Sequence, residues 1–257
     1  MNSLTKSFYL GRIWGIDVFI HMLFFVFVGF LGLMYTLSVG ILFAVQVVFF
    51  LLLVFVCVLL HEYGHCLTAK HYGVHVQNIT LTPIGGVASI APISNPDVEL
   101  RVTIAGPLVN FFIALLLLPL AVVASSLWNV HIFMYLVAVN VILMLFNLVP
   151  AFPMDGGRIL RAILAKRMSL LSATEKAVEV GTWAAVIMGI VGIFMNPMLV
   201  FIAIFVYFAG RAELNMIASQ SHMHFPHGNN GSHYYFYTTQ DREQLLNDLR
   251  NIFYRHR

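Results

Sequence analysis

Apolar residues run along this chain in long, nearly uninterrupted blocks separated by short polar or turn-forming stretches. The blocks are Val18 to Tyr35, Ile41 to Leu60, Val102 to Leu127, Val130 to Leu148, Val180 to Met195 and Met198 to Gly210. Each approaches the ~20 apolar residues an α-helix needs to cross a bilayer, although the last is short. The pattern predicts about six transmembrane helices, within a range of four to six. Between the second and third blocks the period changes. Val76-Gln77-Asn78-Ile79-Thr80-Leu81-Thr82 alternates, and Pro83-Ile84-Gly85-Gly86-Val87-Ala88-Ser89-Ile90 follows with turn residues and β-formers, which predicts a hairpin. Lipid cannot satisfy unpaired backbone groups, so this hairpin must lie at the interface or be covered by protein. The fold expected is an all-α polytopic membrane protein with a small membrane-associated β-hairpin.

Composition agrees with that class. The chain is 60% hydrophobic and only 10% charged, against about 25% charged residues in soluble domains. A formal net charge of +3 without a basic run gives no footing for nucleic acid. Cys57 and Cys66 lie in or beside apolar segments and read as small buried hydrophobes, not a disulfide framework. Met1 to Trp14 lacks a short apolar stretch with a small-residue cleavage site, so no removable signal peptide is expected. None of the 14 lysines and arginines falls near 36–40, 125–130 or 195–198. By the positive-inside rule both termini and the segments 62–101 and 150–179 face the cytoplasm. The expected division is a cytoplasmic segment 1–17, a membrane-embedded domain 18–215 and a cytoplasmic tail 216–257. The tail pairs a loop holding His222, His224, His227 and His233 with a short amphipathic helix from Thr239 to about Tyr254. No oligomeric state follows from any of this.

The second block ends in His61-Glu62-Tyr63-Gly64-His65. Positions i and i+4 share a helix face, so both imidazoles can bind one metal, and Glu62 can serve as general base. Ionisable groups at membrane depth are costly and usually functional; the competing reading is two helix-end histidines reaching the interface. A catalytic zinc site usually has three protein ligands. Asp155 is the candidate third, in Asn147-Leu148-Val149-Pro150-Ala151-Phe152-Pro153-Met154-Asp155-Gly156-Gly157-Arg158. Pro150 and Pro153 break the helix there and Gly156-Gly157 allows close backbone approach. The alternative is an ordinary loop aspartate beside Arg158. His21, His71, His75 and His131 read as interfacial or structural.

His-Glu-x-x-His, then Ala105-Gly106-Pro107-Leu108-Val109-Asn110, then Asn140 and the Asn147–Gly157 stretch resemble the site-2 protease family of intramembrane zinc metalloproteases. The resemblance spans about residues 10–165 and agrees in order, spacing and membrane context. It implies a three-helix catalytic core, one Zn2+ held by His61, His65 and Asp155, Glu62 as acid/base, and cleavage of a substrate's transmembrane segment in the bilayer. It also suggests that Asn110, Asn140 and Asn147 line the cavity, with helix packing the alternative. Many members carry a PDZ or CBS region; this sequence has room for neither, a compact form. Gly85 and Gly86 of the hairpin are candidates for binding unwound substrate backbone, against the alternative of a simple tight turn. From a different class, a membrane metal transporter could also show membrane histidines, an acidic partner and a His-rich tail.

Overall fold

The computed structural model describes residues 7–128 and 131–222. In chain order the elements are β1 Ser7–Ile13, β2 Ile16–His21, α1 Met22–Ser38, α2 Ile41–His71, β3 Val76–Thr82, β4 Gly85–Ile90, α3 Pro96–Trp128, α4 Ile132–Asn147, α5 Asp155–Ala165, α6 Leu170–Met195 and α7 Pro197–His222. The histidine cluster and amphipathic helix expected in the tail lie almost wholly outside the described residues.

Among the described residues, four helices are long and apolar enough to cross a membrane: α2, α3, α6 and α7. The apolar helices α1 and α4 have 17 and 16 residues. At 1.5 Å per residue each reaches about 25 Å, short of a ~30 Å hydrocarbon core. The exposed side chains of these helices are overwhelmingly large and apolar, among them Leu42, Phe49, Phe112, Leu116, Ile187 and Phe208. That is the surface of a protein solvated by lipid, and the chain is a multi-pass membrane protein.

The expectation of an all-α fold with one hairpin is corrected. The hairpin β3–β4 forms as expected, but it is half of a four-stranded sheet in the order β1-β2-β3-β4. Residues 7–13 and 16–21 supply the other half, as a hairpin turning at Trp14-Gly15, both with positive φ. Strand β2 joins β3 in parallel, pairing Val18 with Ile79 and Ile20 with Leu81. The first apolar block is therefore split. Its opening residues are strand, and helix α1 begins only at Met22, where His21 Nδ1 accepts a bond from the Leu23 N–H at 3.2 Å. A short apolar run cannot be assigned to strand or helix from its period alone. Here packing decides, because Ile16 and Val18 alternate inward and bury with Ile79 against Tyr63 and Cys66 of α2. Lys70 donates to the Trp14 carbonyl at 2.8 Å, and the Trp14 ring meets Tyr63 edge-on, so the sheet sits against the C-terminal half of α2.

Candidate metal centre

Helix α2 carries His61 and His65 one turn apart, and both are buried. Their Nε2 atoms lie 3.1 Å from each other. Asp155 Oδ2 stands 3.2 Å from His61 Nε2 and 3.3 Å from His65 Nε2. These three residues form the group that could hold a metal ion among the described residues, with ligand atoms all within 4.8 Å of one another. The third member comes from a chain segment some ninety residues away. Asp155 is not in an irregular loop, as its surroundings suggested, but opens helix α5. Its neighbours explain the placement. A β-carbon on Gly157 would lie 2.7 Å from the Ala151 carbonyl carbon, and one on Gly156 would collide with the backbone of Leu148 and Val149. Two glycines thus let the first turn of α5 fold back onto the segment that precedes it.

The donor chemistry fits a cation. His65 Nδ1 is 2.8 Å from the carbonyl of Val102 on α3. A carbonyl only accepts, so Nδ1 carries the proton and Nε2 offers a lone pair. That lone pair faces a carboxylate oxygen, which is also an acceptor. Neither Asp155 Oδ2 nor His61 Nδ1 has a hydrogen-bond partner among the described residues. Buried acceptors converging without a donor need a positive charge between them. Two imidazoles and a carboxylate, with one position left open, make a donor set suited to catalytic zinc. Burial alone would raise the Asp155 pKa. With a proton between the groups in place of a cation, His61 and His65 become the donors and the positive charge that outweigh it, and they hold the carboxyl well below the usual range, so it is ionised as a ligand requires.

Two glycines and a carbonyl that the sequence did not single out for the site shape its walls. A β-carbon on Gly106 of α3 would overlap the His65 ring and come 2.7 Å from His61 Nε2. Gly64, inside the histidine motif, meets the Ala105 carbonyl, where a β-carbon would come within 2.8 Å. These glycines allow α3 to press against the histidine face of α2, which also brings the Val102 carbonyl to His65. The only sequence signal for Gly106 was its place in the Ala105–Asn110 stretch.

The remaining predicted residues divide. Glu62 lies against β4: a β-carbon on Gly86 would be 2.5 Å from its Cγ and 3.1 Å from Oε1. Gly85 has positive φ and open space around it. Asn110, one turn beyond Gly106 on α3, is fully buried and neither side-chain polar atom has a partner among the described residues. Asn140 is also fully buried, but its Nδ2 donates to Leu136 O at 2.8 Å and to Cys57 Sγ at 3.3 Å, tying α4 to α2. Asn147 is the last residue of α4.

The model of Peptidase family M50 matches residues 49–127 and 120–188, together just over half of the chain and including the metal group. The chain belongs to peptidase family M50. Among its relatives, a zinc metalloprotease of Methanocaldococcus jannaschii is 41% identical over 220 residues, covering 83% of this chain and 62% of the relative. Stage IV sporulation protein FB of Bacillus subtilis is 27% identical over 150 residues, covering 58% of this chain and 51% of that protein. The chain thus spans about three fifths and about half of these relatives' lengths. The structure of a site-2 protease from M. jannaschii is similar with a TM-score of 0.60 at 41% identity, covering 81% of this chain and 95% of that one.

Proposed function

We propose that this chain is an intramembrane zinc metalloprotease that hydrolyses a peptide bond within or next to a transmembrane segment of a membrane-protein substrate. The observation that carries the reading is the convergence of His61, His65 and Asp155 at the lower part of an apolar helix, with Glu62 beside them. Both the M. jannaschii relative's name and the donor set point to zinc. The ligands are His61, His65 and Asp155, and zinc when bound supplies a Lewis acid that acidifies water and polarises a carbonyl. Glu62 takes the proton of the attacking water and passes it to the departing amine. His61 stands twenty residues into α2, about 30 Å from its start, so the site lies near one edge of the hydrocarbon, where water can reach it.

A helical substrate hides its backbone and must unwind before attack. Strand β4 is an edge of the sheet and runs past Glu62. It can pair with the freed N–H and C=O groups by β-addition, with Gly85 and Gly86 allowing close approach. Asn110 has unspent polar atoms on the α3 face that Gly106 turns to the histidines, which suits a cavity-lining role. Six crossings, with α1 and α4 spanning a locally thinned bilayer, place both termini and the metal group on the cytoplasmic side by charge distribution. The domain then extends over 18–215, with 1–17 and 216–257 flanking it. Nothing in the site favours the metal-transporter alternative.

Co-expression of tagged single-pass candidate proteins with the wild type and with Glu62→Gln tests the proposal. Glu62→Gln should retain zinc, since no ligand changes, and lose cleavage by at least about a hundredfold. Substantial residual proteolysis by that variant would remove Glu62 as the general base. No cleavage of any membrane substrate by a zinc-loaded wild type would count against the protease itself.

A further inference from the structure

Helix α5 carries a second buried charged residue that no step above uses. Arg161 is only 9% exposed. Its Nε bonds Glu99 Oε1 at 3.0 Å, its Nη2 bonds the same oxygen, and its Nη1 bonds Glu213 Oε1 at 2.6 Å. The guanidinium carbon also lies 5.3 Å from the ring centroid of Phe152, which is itself buried against Ala177 and Val178 of α6. Burial would lower the Arg161 pKa, but the charges and hydrogen bonds of Glu99 and Glu213 more than offset it, so the cation is retained. A buried charge with two carboxylates is costly to assemble and is weak ground for stability as such. What it does supply is a fixed geometry between the elements it joins.

Those elements are the ones that build the metal centre. Glu99 precedes Val102 by three residues on α3, and Val102 holds the tautomer of His65. Phe152 stands three residues before Asp155, and Arg161 six residues after it. One guanidinium therefore grips the segment entering α5, α5 itself and the α3 turn that orients a histidine. Glu213 adds α7, a helix that otherwise packs mainly on α6. We propose that Arg161 is a positioning residue of the metal centre, locking α5 and the 148–154 segment to α3 so that Asp155 is held within reach of His61 and His65. The proposal rests on the reading of those three residues as zinc ligands.

Lysine keeps the charge but has neither the fork that serves two carboxylates at once nor a planar face to lie on Phe152. Arg161→Lys, purified in detergent, should keep wild-type helicity and a single elution peak. Its zinc affinity, from competition with a chelator, should fall about ten- to hundredfold. The visible spectrum of the Co2+-substituted protein should change with it, since the carboxylate is no longer held in place. A second variant, Glu99→Gln/Arg161→Met/Glu213→Gln, removes every charge of the cluster, so it leaves none unpaired. It should fold and show the same weakened zinc binding. Wild-type zinc affinity and an unaltered Co2+ spectrum in either variant would overturn the proposal, reducing the cluster to ordinary packing. Failure of the unaltered chain itself to bind zinc would overturn the ligand assignment instead.

Discussion

Gly106 shows how much a single hydrogen in place of a methyl can decide. Any β-carbon there enters the space between the two imidazoles, 2.7 Å from one Nε2 and overlapping the other ring. The α3 backbone cannot retreat without carrying the Val102 carbonyl away from His65. Helix propensity pulls the other way, since alanine is better than glycine inside a helix by about 1 kcal/mol. Overpacking costs about 1–3 kcal/mol, so Gly106→Ala should leave the metal-free protein no more resistant to heat than the wild type and lower zinc occupancy as strongly as Asp155→Ala. Thermal unfolding of the metal-free form and metal analysis of the purified proteins separate the two effects. Full zinc in Gly106→Ala would mean that the histidines can move aside. The histidine pair was legible in the sequence because i, i+4 spacing is local geometry. Gly106 was not, because its role is a distance between two helices.

Strand β4 and helix α2 meet at Gly86 and Glu62, and this contact changes what the hairpin controls. A valine at Gly86 would place methyl groups where the Glu62 side chain lies. Gly86→Val should thus displace the carboxylate and cut cleavage by roughly a hundredfold or more, the range expected for loss of a general base. Zinc content should stay unchanged, because Glu62 is not among the three residues of the metal group, which are carried by α2 and α5. Cleavage at the wild-type rate would show that the strand yields and that Glu62 takes its position from α2 alone. The hairpin was readable from its alternation and its Pro and Gly residues. Its partners β1 and β2 were not. An edge strand of Ser7–Ile13 with both faces largely exposed shows no alternation, and Trp14-Gly15 lacks the Asn-Gly or Asp-Gly signature of a tight two-residue turn.

Across the whole molecule, the distribution of charge predicts an orientation in the bilayer. The connection between α1 and α2 and that between α6 and α7 carry no lysine or arginine, whereas the segment between α4 and α6 carries Arg158, Arg161, Lys166 and Arg167. A reporter active only outside the cytoplasm should be silent when fused after Arg167 and active near Ser38 or Asn196. The opposite pattern would put the metal centre on the other side of the membrane. The same fusions decide whether the 17-residue α1 crosses, because a fusion near Ser38 is external only if it does.

By itself the sequence determined the features set by local periodicity and composition: the membrane class, the apolar blocks that become helices, the β3–β4 hairpin and the shared face of His61 and His65. It also marked Asp155 as a candidate, through the prolines and glycines that reshape the backbone around it. Only the tertiary structure decided which surfaces meet. The parallel β2–β3 pairing, the fit of Gly106 between two imidazoles and the Glu99–Arg161–Glu213 cluster join residues more than 40 positions apart. The entropy of closing a loop grows only slowly with its length. Sequence separation therefore favours no one distant partner over another, and the choice falls to packing and charge complementarity in three dimensions.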